Sequence, residues 1–173
     1  MTAEVRQPLP PLPPLPEAAE RVANHLAQCR AEARLHEFRE GTPTAEAAAR
    51  AVGCQPSQIV KSLIFVCDGA PVLVMVPGSR RADDQKLAST LRAASARIAK
   101  PAYVLERTGF KVGGVAPFPL PRVQVAVLDQ SMLRHEIVWV GAGTSQHMAG
   151  LEPVELLRLT KARVGDVSAD LAG

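Results

Sequence analysis

The most regular hydrophobic pattern of the chain lies between Gln58 and Pro77, where two apolar runs are separated by Asp68 and Gly69. Runs rich in Val, Ile and Phe favour β-strands, and an Asp-Gly pair between two such runs favours a hairpin turn. The pattern therefore predicts an antiparallel pair of buried strands.

One charged residue interrupts the first of these strands. Because side chains alternate between the faces of a strand, Lys61 shares its face with Ile59, Leu63 and Phe65. A lysine ammonium among apolar neighbours loses hydration, which costs free energy unless the charge has a partner. Two interpretations follow. Lys61 is either a sheet-edge lysine whose amine reaches water along its apolar stem, or a residue of a functional site.

Helical spacing and capping residues predict helices on both sides of the hairpin. The predicted helices are a segment over 17–33, one that Thr42 caps and Gly53 ends, one that Asp83 caps, one over 102–107 and an amphipathic one over 153–161. Further strands are predicted over 34–38, 122–128 and 136–140. Strands and helices do not alternate strictly, so we expect an α/β fold of one domain, with a mixed, curved or barrel-like β-sheet surrounded by helices.

The two ends of the chain are predicted to lie outside the folded domain. Residues 1–16 contain the run P-L-P-P-L-P-P-L-P, which favours extended polyproline II and is either a ligand of SH3-type domains or a stiff or disordered arm. We expect the folded domain to cover 17–168 and the tail, 169–173, to fray.

Composition narrows the class of protein. The 173 residues are 47% hydrophobic and carry a formal net charge of +3, which permits a nucleic-acid partner without requiring one. Only 3% are aromatic, which argues against a surface that stacks several bases. Three scattered cysteines without a C-x-x-C pair indicate neither a disulfide framework nor a metal site. With no signal peptide or membrane-spanning run, the chain is predicted to be cytoplasmic, without a membrane partner.

Two glycine-rich turns are the other candidates for chemistry. They are G-F-K-V-G-G-V-A-P-F-P-L-P, from Gly109 to Pro121, and G-A-G-T-S, from Gly141 to Ser145, each beside a strand end. If they converge with Lys61, they form a pocket with one cation and several backbone N–H groups, which suits stabilisation of an oxyanion. Lys61 could hold a phosphate or a carbonyl oxygen, or form a Schiff base, and the residues alone leave these roles open.

The order of these segments resembles the YbaK/ProX family, free-standing relatives of the editing domain of bacterial prolyl-tRNA synthetases. The resemblance covers roughly residues 35–167. It rests on I-V-K-S-L around Lys61, L-V-M-V-P-G before D-x-x-K-L, T-G-F-x-V-G-G-V-A-P-F, V-L-D ending at Asp129, and W-V-G-A-G-T before L-x-P-x-x-L-L-x-L-T. Each motif is weak alone, but their shared order and spacing is specific.

The resemblance implies hydrolysis of the ester that joins a wrong amino acid to tRNA, often tRNA-Pro, without a cofactor or a metal. Lys61 matches the family's key lysine, whose implied role is to hold the phosphate of the terminal adenosine or to orient the substrate. The other positions that the resemblance assigns to catalysis or substrate binding are Gly113, Gly114, Val115 and Pro117 in the first turn, Gly141, Ala142 and Gly143 in the second, and Phe38, Ser62 and His147.

Substrate and partner remain to be chosen. Phe38 stands where some cysteine-specific members have tyrosine, and G-T-S-Q-H differs from their G-K-R-G-L, so cysteine specificity is in doubt. His147 either touches the substrate or is an exposed surface histidine. The expected partners are the 3′ CCA end of aminoacyl-tRNA and, transiently, prolyl-tRNA synthetase. Arg80, Arg81 and Lys86 are either a solvated basic face or contacts to tRNA phosphates.

Two alternatives stand beside the editing hypothesis. A non-catalytic module of the same fold would bind tRNA or a synthetase without cleaving an ester. An unrelated small-molecule enzyme would use Lys61 to form a Schiff base.

Overall fold

Residues 14–171 are described by a computed structural model of the chain, so most of the proline-rich arm lies outside the described residues. The helices are α1 (Glu17–Gln28), α2 (Ala45–Val52), α3 (Asp84–Leu91), α4 (Pro101–Thr108) and α5 (Pro153–Thr160), with short 3-10 turns at Pro56–Gln58 and Gln130–Arg134. The strands are β1 (Arg34–Glu37), β2 (Val60–Cys67), β3 (Ala70–Pro77), β4 (Arg80–Ala82), β5 (Ala96–Ile98), β6 (Val125–Asp129), β7 (Val138–Gly141), β8 (His147–Leu151), β9 (Arg163–Gly165) and β10 (Ser168–Asp170).

The strands form three sheets. The largest has the order β5-β2-β3-β6-β9, with β2 antiparallel to both neighbours and the β3, β6 and β9 strands parallel. A three-stranded antiparallel sheet has the order β1-β8-β7, and β4 pairs with β10. The predicted mixed α/β domain is confirmed, although its strands divide among three sheets and none of these closes into a barrel within residues 14–171.

Both faces of the largest sheet are covered, which explains the near-continuous apolar runs of β2 and β3. On one face Val60, Ile64 and Val66 belong to the main core, which α1, α4 and α5 complete. On the other face Phe65 and Cys67 pack in a second cluster with residues of β3 and α3. The predicted hairpin is confirmed, since β2 and β3 pair in register from Val60–Pro77 to Cys67–Ala70.

The start of α2 corrects one prediction. Thr44, and not Thr42, caps the helix, because its side chain accepts a hydrogen bond of 3.0 Å from the Ala47 N–H. The Thr42 amide and hydroxyl instead donate to the Ser145 carbonyl oxygen, at 2.8 and 3.1 Å. Thr42 thereby ties the lead-in to α2 to the second glycine-rich turn. The predicted caps Gly53 and Asp83 are confirmed.

The C-terminal segment corrects another prediction. We expect fraying from residue 169, but Ser168–Asp170 form β10 and pair with Arg80–Ala82. Side chains also hold this strand, since Arg80 Nε donates to Ser168 Oγ at 2.8 Å and Lys86 Nζ donates to the Ser168 carbonyl oxygen at 2.8 Å. These contacts come from residues some eighty positions away, so a purely local pattern does not reveal them.

Among the described residues, no helix is long and apolar enough to cross a membrane.

Candidate functional site

A cavity of about 570 Å³ brings Lys61 and both glycine-rich turns together. Its apolar wall includes Ile64, Val104 and Val115. Its polar and glycine positions are Thr42, Thr44, Glu46, Lys61, Ser62, Gly78, Gly113, Gly141, Thr144 and His147. Of the residues predicted for a site, the structure therefore places Lys61, Ser62, Gly113, Val115, Gly141 and His147 at one cavity.

Lys61 lies on an open stretch of strand edge. The β5 strand pairs only with Phe65–Cys67, so on the side away from β3 no described strand pairs with Lys61, Ser62 or Leu63. The lysine is half-buried, and no hydrogen bond or ion pair holds its ammonium within residues 14–171. Burial lowers the pKa of the Lys61 ammonium, and the Glu46 carboxylate opposes part of that shift. The ammonium therefore stands at the cavity without a neutralising partner, as an anion-binding group requires.

The two glycine-rich turns touch each other backbone to backbone. A Cβ placed on Gly114 would lie 2.8 Å from the Thr144 Cα, and one on Gly141 would lie 2.7 Å from the Val115 carbonyl oxygen. Gly143 has φ +102°, and its Cβ would lie 2.5 Å from the Ala18 carbonyl oxygen of α1. The two turns therefore pack against each other, and the second turn also packs against α1.

Hydrogen bonds decide which amides of these turns can face a ligand. The Gly114 N–H donates to the Lys111 carbonyl oxygen at 2.9 Å, which closes a β-turn with Gly113 at φ +96°. The Ala142 N–H donates to the His147 carbonyl oxygen at 2.9 Å. Both amides are therefore engaged in hydrogen bonds within the chain. Because hydrogen-bonded and non-hydrogen-bonded pairs alternate in an antiparallel ladder, the Gly141 N–H points away from β8.

The same alternation describes Ser62. The Gly78 N–H donates to the Ile59 carbonyl oxygen at 2.7 Å, so odd-numbered positions of β2 direct their amides to β3. The Ser62 N–H and carbonyl therefore point to the open edge. The Ser62 hydroxyl is shielded from water and has no hydrogen-bond partner among the described residues. Such a group costs roughly 1–3 kcal/mol, which is a reason to expect a ligand or a functional use.

His147 is buried, with 2% of its surface exposed, so the alternative of an exposed surface histidine is wrong. Its Nδ1 lies 2.6 Å from Thr144 Oγ1, which also accepts a 3.1 Å hydrogen bond from the Gln146 N–H. The economical arrangement is that the Thr144 hydroxyl donates to Nδ1, which leaves the ring proton on Nε2. That Nε2 is buried without a partner within residues 14–171.

Several predicted residues lie outside the cavity lining. Phe38 packs at the small cluster of α2 and β8, with the ring of His36 stacked at 6.4 Å. Pro117 lines a different cavity beside Phe118. The buried backbone of Gly114, Ala142 and Gly143 supports the turns from behind. These five residues are not among those that line the cavity, and their predicted contact with a substrate stays a prediction.

The predicted phosphate contacts are largely engaged within the chain. Arg80 pairs with Asp170 and also bonds Ser168, while Lys86 Nζ lies 3.0 Å from a carboxylate oxygen of Asp166. Both line a second, polar cavity of about 650 Å³ at the carboxyl ends of β3 and β6. Arg81 is exposed and forms no ion pair within residues 14–171. Of the three residues, only Arg81 has no carboxylate partner within residues 14–171.

Asp129, the end of the V-L-D motif, is a structural residue. It is 2% exposed, and its carboxylate accepts hydrogen bonds from the Ser131 and Val167 amides at 3.0 and 3.1 Å. Burial alone would raise the pKa of this carboxyl, but the hydrogen bonds from Ser131, Val167 and Ser168 outweigh it and hold the pKa below its ordinary value. Asp129 thereby fastens the segment that leads into β10.

Several cavity residues escaped the sequence reasoning, and three of them matter for the site. They are Glu46, Gly78 and Thr144. Gly78 belongs to the L-V-M-V-P-G motif and Thr144 to W-V-G-A-G-T, so their positions carried a signal, though no role followed from it. Nothing in the sequence indicated that Glu46 belongs to a site, because acidic residues are common in the first turn of a helix.

Comparison with known proteins defines the class. The family model for the aminoacyl-tRNA editing domain matches residues 39–159, so the chain belongs to that family. This confirms the resemblance found in the sequence.

Individual relatives agree with this family. The chain is 34% identical to the uncharacterized protein YwhH of Bacillus subtilis, over 83% of this chain and 91% of that protein. It is 33% identical to the proline–tRNA ligase of Nitratidesulfovibrio vulgaris over 68% of this chain, and the match spans 20% of that ligase. A crystal structure described as a candidate trans-editing enzyme for prolyl-tRNA synthetase aligns with TM-score 0.81 and 37% identity, over 90% of this chain and 99% of that one.

Proposed function

We propose that the protein hydrolyses the ester bond of mischarged aminoacyl-tRNA in trans, with tRNA-Pro carrying a small wrong amino acid as the first candidate substrate. The observation that carries the proposal is the half-buried, unpaired Lys61 on an open strand edge, in one cavity with two touching glycine-rich turns. Membership of the editing-domain family and the likeness to prolyl-tRNA synthetase sequences support it.

Six cavity residues have a role in this proposal. Lys61 holds the phosphate of the terminal adenosine, as an ammonium at a desolvated site can. The amides of Gly113, Val115 and Gly141, three residues that line the cavity, are the proposed donors to the oxyanion of the tetrahedral intermediate. His147 donates from Nε2, and Ser62 offers its hydroxyl and its open-edge backbone. Among the described cavity residues, Thr144 has the one hydroxyl that contacts an imidazole, and this hydroxyl already accepts a hydrogen bond from the Gln146 N–H, so water is the proposed nucleophile.

The cavity wall limits the amino acid. In this proposal, apolar lining residues such as Ile64, Ala99 and Val104 surround the side chain of the amino acid. Because a hydrophobic pocket rejects a smaller or isosteric amino acid only weakly, a synthetase needs such a second site to remove its errors. Recognition of the tRNA then rests on phosphate contacts and on the unpaired CCA end.

The test is hydrolysis of tRNA-Pro charged separately with alanine, cysteine, serine and threonine, with the Lys61→Ala variant in parallel. We expect wild type to clear at least one ester and the variant to lose most of that rate. If wild type hydrolyses none of the four esters but still binds uncharged tRNA, the result would instead support a non-catalytic binding module.

The lowered pKa of Lys61 favours one second candidate, an enzyme in which the neutral amine forms a Schiff base with a carbonyl substrate. Borohydride would then trap a carbonyl compound on Lys61. Failure to trap any member of a broad panel of aldehydes and ketones would count against this function.

A further inference from the structure

The cavity that contains Lys61 also contains a carboxylate. Among the described residues that line it, Lys61 is the one Lys or Arg side chain and Glu46 the one Asp or Glu. The remaining positions are apolar residues, hydroxyl-bearing residues and glycines, together with the imidazole of His147. Two opposite charges therefore stand in an otherwise nearly uncharged site.

The fold holds Glu46 in place at this site. Glu46 is the second residue of α2, directly after the Thr44 cap and Ala45. A Cβ on Gly78 would lie 2.5 Å from the Ala45 Cβ, so the absence of a side chain at Gly78 lets the start of α2 approach the end of β3. The bonds from Thr42 to the Ser145 carbonyl oxygen fasten the same segment from the other side.

The two charges do not neutralise each other. The Glu46 side chain is exposed, forms no ion pair within 4.0 Å and accepts no hydrogen bond among residues 14–171, so its carboxylate is available to a ligand. It is near enough to Lys61 for its charge to act on that ammonium. Both residues line the same cavity of about 570 Å³, so a ligand with a negative and a positive group could contact both at once.

An aminoacyl ester of the terminal adenosine is such a ligand, since it carries the phosphate of the nucleotide and the α-ammonium of the amino acid. We propose that Glu46 binds the α-ammonium group of the aminoacyl ester while Lys61 holds the phosphate. This inference rests on the proposed function and adds a substrate-binding residue to it. The competing explanation is that Glu46 interacts only with the positive end of the α2 helix dipole, in which case Glu46→Gln would lower stability slightly and leave hydrolysis unchanged.

The experiment pairs a variant with a modified substrate. Wild type and Glu46→Gln are compared, with enzyme in excess, on the ester that wild type clears best and on its N-acetyl counterpart, which lacks the ammonium charge. A hydrogen bond to a charged group supports an expected loss of about tenfold in kcat/KM for Glu46→Gln on the free amine. N-acetylation of the substrate should lower kcat/KM of wild type by about the same factor. Glu46→Gln on the acetylated ester should lose no more than either change causes alone. Glu136→Gln, at an exposed carboxylate outside the cavity, should behave as wild type.

Each outcome bears on the proposal. If Glu46→Gln slows the free and acetylated esters equally, the carboxylate acts on water or through Lys61, and ammonium binding is overturned. If the variant slows neither, Glu46 is an ordinary first-turn residue, and the proposal is again overturned. If wild type clears no ester at all, the proposed function itself fails, which is distinct from both. Thermal denaturation of the variant confirms that it is folded.

Discussion

Gly114 lies against Thr144 so closely that a Cβ on the glycine would stand 2.8 Å from the threonine Cα. This approach joins two turns that are thirty residues apart and forms one wall of the cavity. Cβ atoms in folded proteins do not come so near another backbone, so the contact depends on glycine at this position.

Gly114→Ala should therefore separate the two turns. Overpacking at such a contact typically costs about 1–3 kcal/mol of the free energy of unfolding, and ester hydrolysis should fall further than stability does. Thermal denaturation and the deacylation rate measure the two effects. Gly165→Ala is the control, since its Cβ would meet mainly the Thr90 side chain. A fully active Gly114→Ala would show that the turns need not touch.

Lys61→Met should abolish hydrolysis and leave the protein at least as stable. The side chain keeps its apolar length and loses an ammonium that burial disfavours, so the free energy of unfolding should rise by ~0.5 kcal/mol or stay level. Chemical denaturation with urea checks this. A clear loss of stability would mean that the ammonium has a partner in the folded chain.

The pH dependence of this difference has a definite sign. Because burial lowers the pKa of Lys61 in the folded chain, the unfolded chain binds more protons between the folded and the unfolded pKa. The penalty is thus fully present below the folded pKa and disappears as pH rises toward the ordinary lysine value. The stability gap between Lys61→Met and wild type should narrow on going from pH 7 toward pH 10. A gap that widens would contradict the direction of the shift.

Thr144→Val tests the orientation of His147. The change leaves the buried Nδ1 and the Gln146 N–H without their partner, which costs roughly 1–3 kcal/mol for such a group. We expect lower stability together with a lower kcat, because the ring loses the bond that sets its tautomer. Thr144→Ser keeps the hydroxyl and should restore most of both quantities, whereas equal loss in the serine variant would point to the methyl group instead.

Arg80→Ala should reduce the stability of the protein more than its binding of tRNA. Its guanidinium holds Ser168 and Asp170, so its loss should release β10 and reduce the free energy of unfolding by about 1 kcal/mol. Binding of tRNA should weaken no more than in Arg81→Ala, which removes an exposed cation. Filter binding at two salt concentrations compares the variants, and a markedly steeper loss of affinity for Arg80→Ala would restore the phosphate role that the sequence suggested.

The sequence by itself determined the central hairpin, the approximate positions of the helices and the family. The β2–β3 hairpin follows from two apolar runs around Asp68-Gly69, and Asp83 caps its helix, because both depend on interactions between residues close in the chain. The motifs in their order pointed to the editing-domain family, and Lys61 stood out because a charge in an apolar strand is costly.

Only the tertiary structure decided which of these residues meet. It brings Glu46 to the cavity of Lys61, engages Arg80 and Lys86 with the last strand, buries His147, and leaves Phe38 and Pro117 outside the cavity lining. Local patterns carry no information on such contacts, because charges and backbones far apart in the chain are placed by the packing of the sheets. The same packing turns two ordinary glycine-rich turns into one wall of the candidate site.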